Sequence, residues 1–393
     1  MRRFFPMLLW SLVFPGAVIG QSILGSSGLG TRSEPLDAVQ RALGGAGAAI
    51  QSSTVLPGDP TASLDLLAST LTFTIQPTWA DYTVGSDEGD FAETRFPVFG
   101  FAFPIGTTSV LTLTMGSKFD QRWSAVVQDS LDLGGTMVGI TDEFRSEGGV
   151  STARAGWAKR LTPTLAVGAT AGMHMGGLTR SFRRTFAQTV LDSVSVAGPI
   201  DPFSDIGRWT HSGPVVSLNV SWDPIRSVQL TGAIDWSGTI AVTPTDDVGR
   251  ETLDVDVPLE FKLAATTQVS PALMITAGMS TANWSDLGVP QIDSVGVGRA
   301  STIGAGIQWD IGNFWAGGFP LRLGYRRASL PFRFRGDAVK ESAVSFGFAV
   351  TMFQDEGLPL AGFDVAWEMG GRSSGDFDEN LRRLTVSVRI GGR

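Results

Sequence analysis

Two histidines, His174 and His211, are the only imidazoles in 393 residues, and cysteine is absent. A serine hydrolase needs a Ser-His pair oriented by a third group, and two scattered histidines mark no such triad. Thiolate chemistry, disulfides and cysteine metal sites are excluded outright, and two isolated histidines do not make a zinc set. By alternation His174 faces inward on a strand, whereas His211 reads as a loop residue. Gly296-Val297-Gly298 lacks the third glycine and the strand-to-helix setting of a nucleotide fingerprint. The aspartates at 246, 247, 254 and 256 form an acidic loop that is ordinarily only solvated. These residues predict no enzyme, no metal and no cofactor. Non-covalent chemistry remains: Arg154, Lys262, Arg322 and Arg326, with Glu260, Asp364 and Glu368, share one parity within alternating segments. In a confined space the four bases could fix a carboxylate headgroup by charge-assisted hydrogen bonds, or they could form a ladder of opposite charges that supports a wall.

The elements that would position them are strands. Leu71, Phe73 and Ile75 alternate with Thr70, Thr72, Thr74 and Gln76, and period two means a strand. The pattern recurs along the chain, as in Val216, Leu218, Val220, Trp222 and in Leu384, Val386, Val388, Ile390. Tight turns at Thr162-Pro163, Asp223-Pro224 and Ser270-Pro271 alternate with longer polar stretches at 83–94, 238–254, 284–297 and 331–340. Counting from residues 70–82 gives fourteen strands, the last at 382–391. The fold class is therefore all-β, an antiparallel transmembrane barrel of about fourteen strands. A soluble β-sandwich also alternates, but Trp79, Tyr82, Trp157, Trp222, Trp236, Trp284 and Trp309 sit near strand ends, as interfacial girdles do. The 49 glycines, 24 phenylalanines and 17% charged residues agree with a barrel, whose apolar signal is spread thinly.

Arg2 and Arg3 precede an apolar stretch from Phe4 to Ile19, and Val18 and Gly20 stand where a peptidase wants small residues. Residues 1–20 are read as a signal peptide. Its removal takes two arginines and no acid, moving the net charge from −8 to −10, so nucleic acid is no partner. Residues 21–65 are too long and glycine-rich for a simple leader and predict a segment folded back into the lumen, with the barrel over 66–393. Between about Gly177 and Ser212 lies the longest expected loop, where Phe182, Phe186, Val190 and Val194 recur at fourfold spacing. That spacing predicts an apolar stripe on a short helix, which would either present a landing surface or pack inward as a cap. The stretch from Phe119 to Gly148 is the second long loop.

The run Ser26-Ser27-Gly28-Leu29-Gly30, followed by Asp37 to Ala49 with Gly44, Gly45 and Gly47, resembles the N-terminal hatch of the FadL/TodX family of outer-membrane hydrophobic-compound transporters. Where the family carries Asn-Pro-Ala, this chain has Asp59-Pro60-Thr61-Ala62. Pro320 to Arg326, Phe363 to Trp367 with Gly370-Gly371-Arg372, and Asp378 to Val386 are similar to the same family. The resemblance implies a monomeric fourteen-stranded barrel in the bacterial outer membrane, among its lipids and lipopolysaccharide. It implies a hatch that shifts when a long-chain fatty acid or similar apolar compound binds. It also implies a kink in the third strand opening a lateral exit, for which Gly116 is the candidate. Two other readings stay open, a FadL-like scaffold that presents a secreted partner protein and a general diffusion porin.

Overall fold

The structure, a computed structural model, describes residues 29–45, 55–132, 137–187, 201–246, 251–285, 298–314, 317–334, 336–355 and 358–392. The expected signal peptide lies outside them. Among the described residues, fourteen antiparallel strands close into one barrel. The first four are Ser69–Val84, Asp87–Ile105, a third in two pieces (Ser109–Asp120 and Trp123–Asp132), and Met137–Thr162. The fifth and sixth are Leu165–Phe186 and Phe203–Ile225. The seventh is split into Val228–Ser237 and Ile240–Pro244, and the eighth into Leu253–Val255 and Glu260–Ser270. The remaining six are Leu273–Asn283, Arg299–Phe314, Gly317–Phe334, Asp337–Asp355, Leu358–Ser374 and Phe377–Gly392. Pairing of the fourteenth strand with the first, from Phe377 opposite Val84 to Gly392 opposite Ser69, closes the ring and removes both sheet edges.

Alternation decides which side of the wall each residue takes. On the sixth strand Val216, Leu218, Val220 and Trp222 are exposed outward while Ser217, Asn219 and Ser221 are buried inward. This inside-out pattern fits a lipid-facing exterior, where hydrocarbon replaces the core of a soluble sandwich. Leu218, 58% exposed, gives a direct check. Leu218→Arg should lower unfolding free energy in lipid vesicles by about 2–4 kcal/mol if the site lies near the bilayer midplane. In a soluble sandwich an exposed leucine changed to arginine would be close to neutral, so a neutral result would overturn the membrane reading.

Several expected loops are strands. Residues 83–94 and 331–340 fold as tight hairpins, with Gly85 and Gly336 at positive φ, and strands run on both sides. The stretch from Phe119 to Gly148 is mostly the hairpin Trp123–Asp132 and Met137–Thr162. Polar composition misleads there because strands that rise beyond the bilayer have no lipid to face and need no apolar alternation. Trp79, Trp157, Trp222, Trp236 and Trp309 are exposed on the outer wall, whereas Trp284 is buried edge-on against Phe119, and Tyr82 packs beside Phe377. The girdle therefore excludes those two.

Candidate functional site

Two pieces of the N-terminal segment lie against the inner wall. In the first, Asp37 caps a one-turn helix, Ala38–Ala42, its Oδ1 accepting from Gln40 N at 2.8 Å. Gly44, at φ +72°, ends the helix. Its backbone is pressed so closely to the barrel that a Cβ on Gly304 would run into Gly44 O, and one on Gly324 into Gly44 N. The second piece contains the turn Pro60–Ser63, capped by Asp59. Here Val55, Pro57 and Pro60 seat against Gly100, Gly116, Gly156 and Gly168. Glycines on the inner wall thus form two beds. Gly30, Gly44 and Gly45 of the expected hatch all make close approaches, Gly30 to Asp120 and Gly45 to Pro35; Gly28 and Gly47 lie outside the described residues.

Charge fixes the first piece. Arg41 donates to Glu368 at 2.8 Å, and Glu368 also receives Arg326 at 3.1 Å and Arg383 at 2.5 Å. Glu341 joins Arg326 and Arg372 at 2.6 Å each, and Arg372 reaches Glu379 at 3.0 Å. A second cluster pairs Arg32 with Glu260, Glu34 with Lys262 at 2.8 Å, Lys118 with Glu260 at 3.2 Å, and Arg154 with Asp235 at 3.1 Å. Arg322 stands apart, bound to Asp364 at 2.7 Å.

All four bases nominated from the sequence face inward, and each meets a carboxylate. Lys262 and Arg154 share a cluster, Arg326 belongs to another, and Arg322 to neither. Period and composition assign no charge role to Arg32, Glu34, Arg41, Glu341, Arg372, Glu379 or Arg383. Parity extended along the twelfth to fourteenth strands finds the wall members of this set. The N-terminal partners carry no periodic signal and are visible only in the fold.

The wall itself is interrupted beside this segment. Backbone pairing between the second and third strands runs from Ile105 opposite Ser109 to Val98 opposite Gly116, where it ends. Beyond Gly116 the third strand takes a different partner on that edge: Thr31 pairs with Asp120 and Arg32 with Phe119, and Ser33 N donates to Lys118 O at 3.1 Å. Among the described residues, 87–95 of the second strand pair with the first strand alone.

At the mouth, Phe182 and Phe186 lie on the fifth strand, so the fourfold spacing marks one face of a strand and not a helix. Period two serves residues four apart equally well, and β-pairing with the fourth strand decides between them. Val190 and Val194 lie outside the described residues. Phe144 and Phe182 pack at 5.0 Å between ring centres, and Phe203 follows at 5.9 Å. By parity Phe144 and Phe182 share the face of Ser146 and His174, which is the lumen side. His174 is buried with Nε2 2.9 Å from Ser237 Oγ. His211 is also buried, on the sixth strand and not in a loop. Among the described residues no group of acids and histidines could hold a metal ion.

No protein-family model matches the chain, and no curated protein matches its sequence. Solved structures do match. A Pseudomonas aeruginosa FadL homologue aligns over 92% of this chain and 99% of its own, with TM-score 0.60. The CymD monoaromatic hydrocarbon channel aligns over 91% and 98%, with TM-score 0.58. The Pseudomonas putida toluene transporter TodX aligns over 92% and 98%, with TM-score 0.57. Each is 12% identical to this chain, a likeness of fold.

Proposed function

Starting from the fold it shares with FadL- and TodX-type channels, we propose that this chain carries apolar small molecules across the bacterial outer membrane by binding and passive transfer. One observation carries the reading: the lumen is crossed by the N-terminal segment and its ion pairs, while the side wall loses its backbone pairing beyond Gly116. A molecule that leaves sideways enters hydrocarbon, so it must be apolar or have an apolar body. Residues 21–65 act as the plug, and residues 1–20 as the export signal. The Phe144, Phe182, Phe203 cluster is the capture surface at the mouth. Arg154, Lys262, Arg322 and Arg326 serve first to hold plug and wall, and any carboxylate headgroup binds by competing for one of their partners. A general diffusion porin would leave an aqueous lumen, which these crossed ion pairs oppose.

Native mass spectrometry with lipid extraction, on protein purified from outer membranes, tests the proposal. An apolar compound should accompany the intact chain and fall several-fold in Phe182→Ala with Phe203→Ala, because apolar burial is proportional to the area lost. A stoichiometric protein companion with no apolar compound would overturn transport in favour of a scaffold.

A further inference from the structure

The interrupted wall is not left bare. Glu93 and Arg95 on the second strand point to the lumen side beside Gln76 and Thr78, and Asp120 and Arg122 stand opposite them on the third. Arg95 Nε lies 2.7 Å from Asp120, Arg122 lies 3.1 Å from Glu93 and 2.6 Å from Asp120, and Arg95 also contacts Glu93. Arg122 Nη1 further donates to Thr94 O at 3.5 Å, on the strand edge that has lost its β-partner. Two cations and two anions make a neutral, closed quartet spanning the seam where backbone hydrogen bonds stop.

What lies on either side gives the quartet a task. Inside, Arg95 lines the same polar cavity as Arg32, Arg41 and Arg326. Outside, at the foot of the seam, Phe99, Leu113, Met115, Ala155, Ala171 and Met173 line an apolar groove of about 1230 Å³ on the lipid-facing wall. Gly116 and Val98, where pairing stops, are sequence neighbours of Met115 and Phe99. On that edge the third strand's other tie is to the N-terminal segment through Thr31 and Arg32.

We propose that Glu93, Arg95, Asp120 and Arg122 form an ion-pair latch on a lateral gate between the second and third strands. It parts to let an apolar ligand pass from the lumen to the outer groove. The proposal rests on the transport reading above and adds the residues that hold the exit shut. Side-chain pairs suit this task better than a backbone ladder, because they can exchange partners without unzipping a strand. The N-terminal segment biases the latch through its strand pairing with Phe119 and Asp120.

The native chain has no cysteine, so Glu93→Cys with Arg122→Cys can be bridged by a reducible bis-maleimide at these two positions alone. The probe is N-phenyl-1-naphthylamine, which an intact lipopolysaccharide leaflet excludes and which fluoresces in hydrocarbon. Bridged protein should admit the probe no faster than cells without the protein, with entry restored on reduction of the same sample. Glu93→Gln with Arg122→Gln should raise entry about tenfold, as expected when a minor open state is made common. Ion conductance in planar bilayers should not change in either variant, because the gate opens to lipid and not to water. Entry at the wild-type rate through the bridged protein overturns the latch and leaves the transport reading standing. Conductance rising together with probe entry also overturns it, since that marks general loosening of the barrel. Wild-type protein admitting no probe overturns latch and transport together.

Discussion

Glu260→Ala is expected to release the N-terminal segment and turn a closed barrel into a conducting one. Glu260 is buried and meets Arg32, Lys118 and Lys262. Its loss leaves three cations with only Glu34 and Asp235 between them. Removing one partner from a buried ionic cluster costs about 3–5 kcal/mol, and most of that strain falls on the partner that can move. Lys118 and Lys262 are fixed in the wall, while Arg32 belongs to the segment. Single-channel recordings should show frequent open steps absent from the wild type, and trypsin should gain access at Arg32. Recordings as quiet as wild type would mean that Glu34 and the glycine beds hold the segment unaided.

Gly324→Val should have an effect of similar size by a different route. The added Cβ would overlap Gly44 N and stand 2.5 Å from Leu43 C, both backbone atoms with no rotamer to change. Overpacking typically costs about 1–3 kcal/mol, and here the helix must leave its bed and pull Arg41 from Glu368. We expect conductance to rise and urea resistance to fall. Gly371→Ala, whose Cβ would meet nothing closer than 3.2 Å, serves as the matched control. If Gly324→Val and Glu260→Ala together cost less than their sum, the segment leaves as one body; additivity would mean that the helix and the Thr31–Arg32 strand detach separately.

The barrel was legible because period two survives in every strand that faces lipid. Phe73 and Thr74, or Leu218 and Asn219, announce wall, outside and inside in adjacent residues. The inward direction of Arg154, Lys262, Arg322 and Arg326 followed from the same parity. So did that of their partners Glu260, Asp364 and Glu368; Glu34 and Arg41 did not, since they come from a segment with no period, and which wall charge each meets depends on closure of the ring. The mouth was misread for a related reason. Phe182 and Phe186 satisfy a helical and a strand period alike, and only pairing with residues 140–144 separates the two. The ion-pair quartet was beyond reach, because it exists where a regular ladder fails and failure leaves no pattern.

The Thr31–Arg32 strand also orders events in time. Its edge partner, Phe119 and Asp120, lies nearly ninety residues downstream, and Arg41 and Ala38 reach Glu368 and Ser387 across separations of 327 and 349 residues. Contacts this distant along the chain form late. The part of the protein synthesised first is therefore seated last, after the thirteenth and fourteenth strands have arrived, and a half-built wall cannot be sealed early.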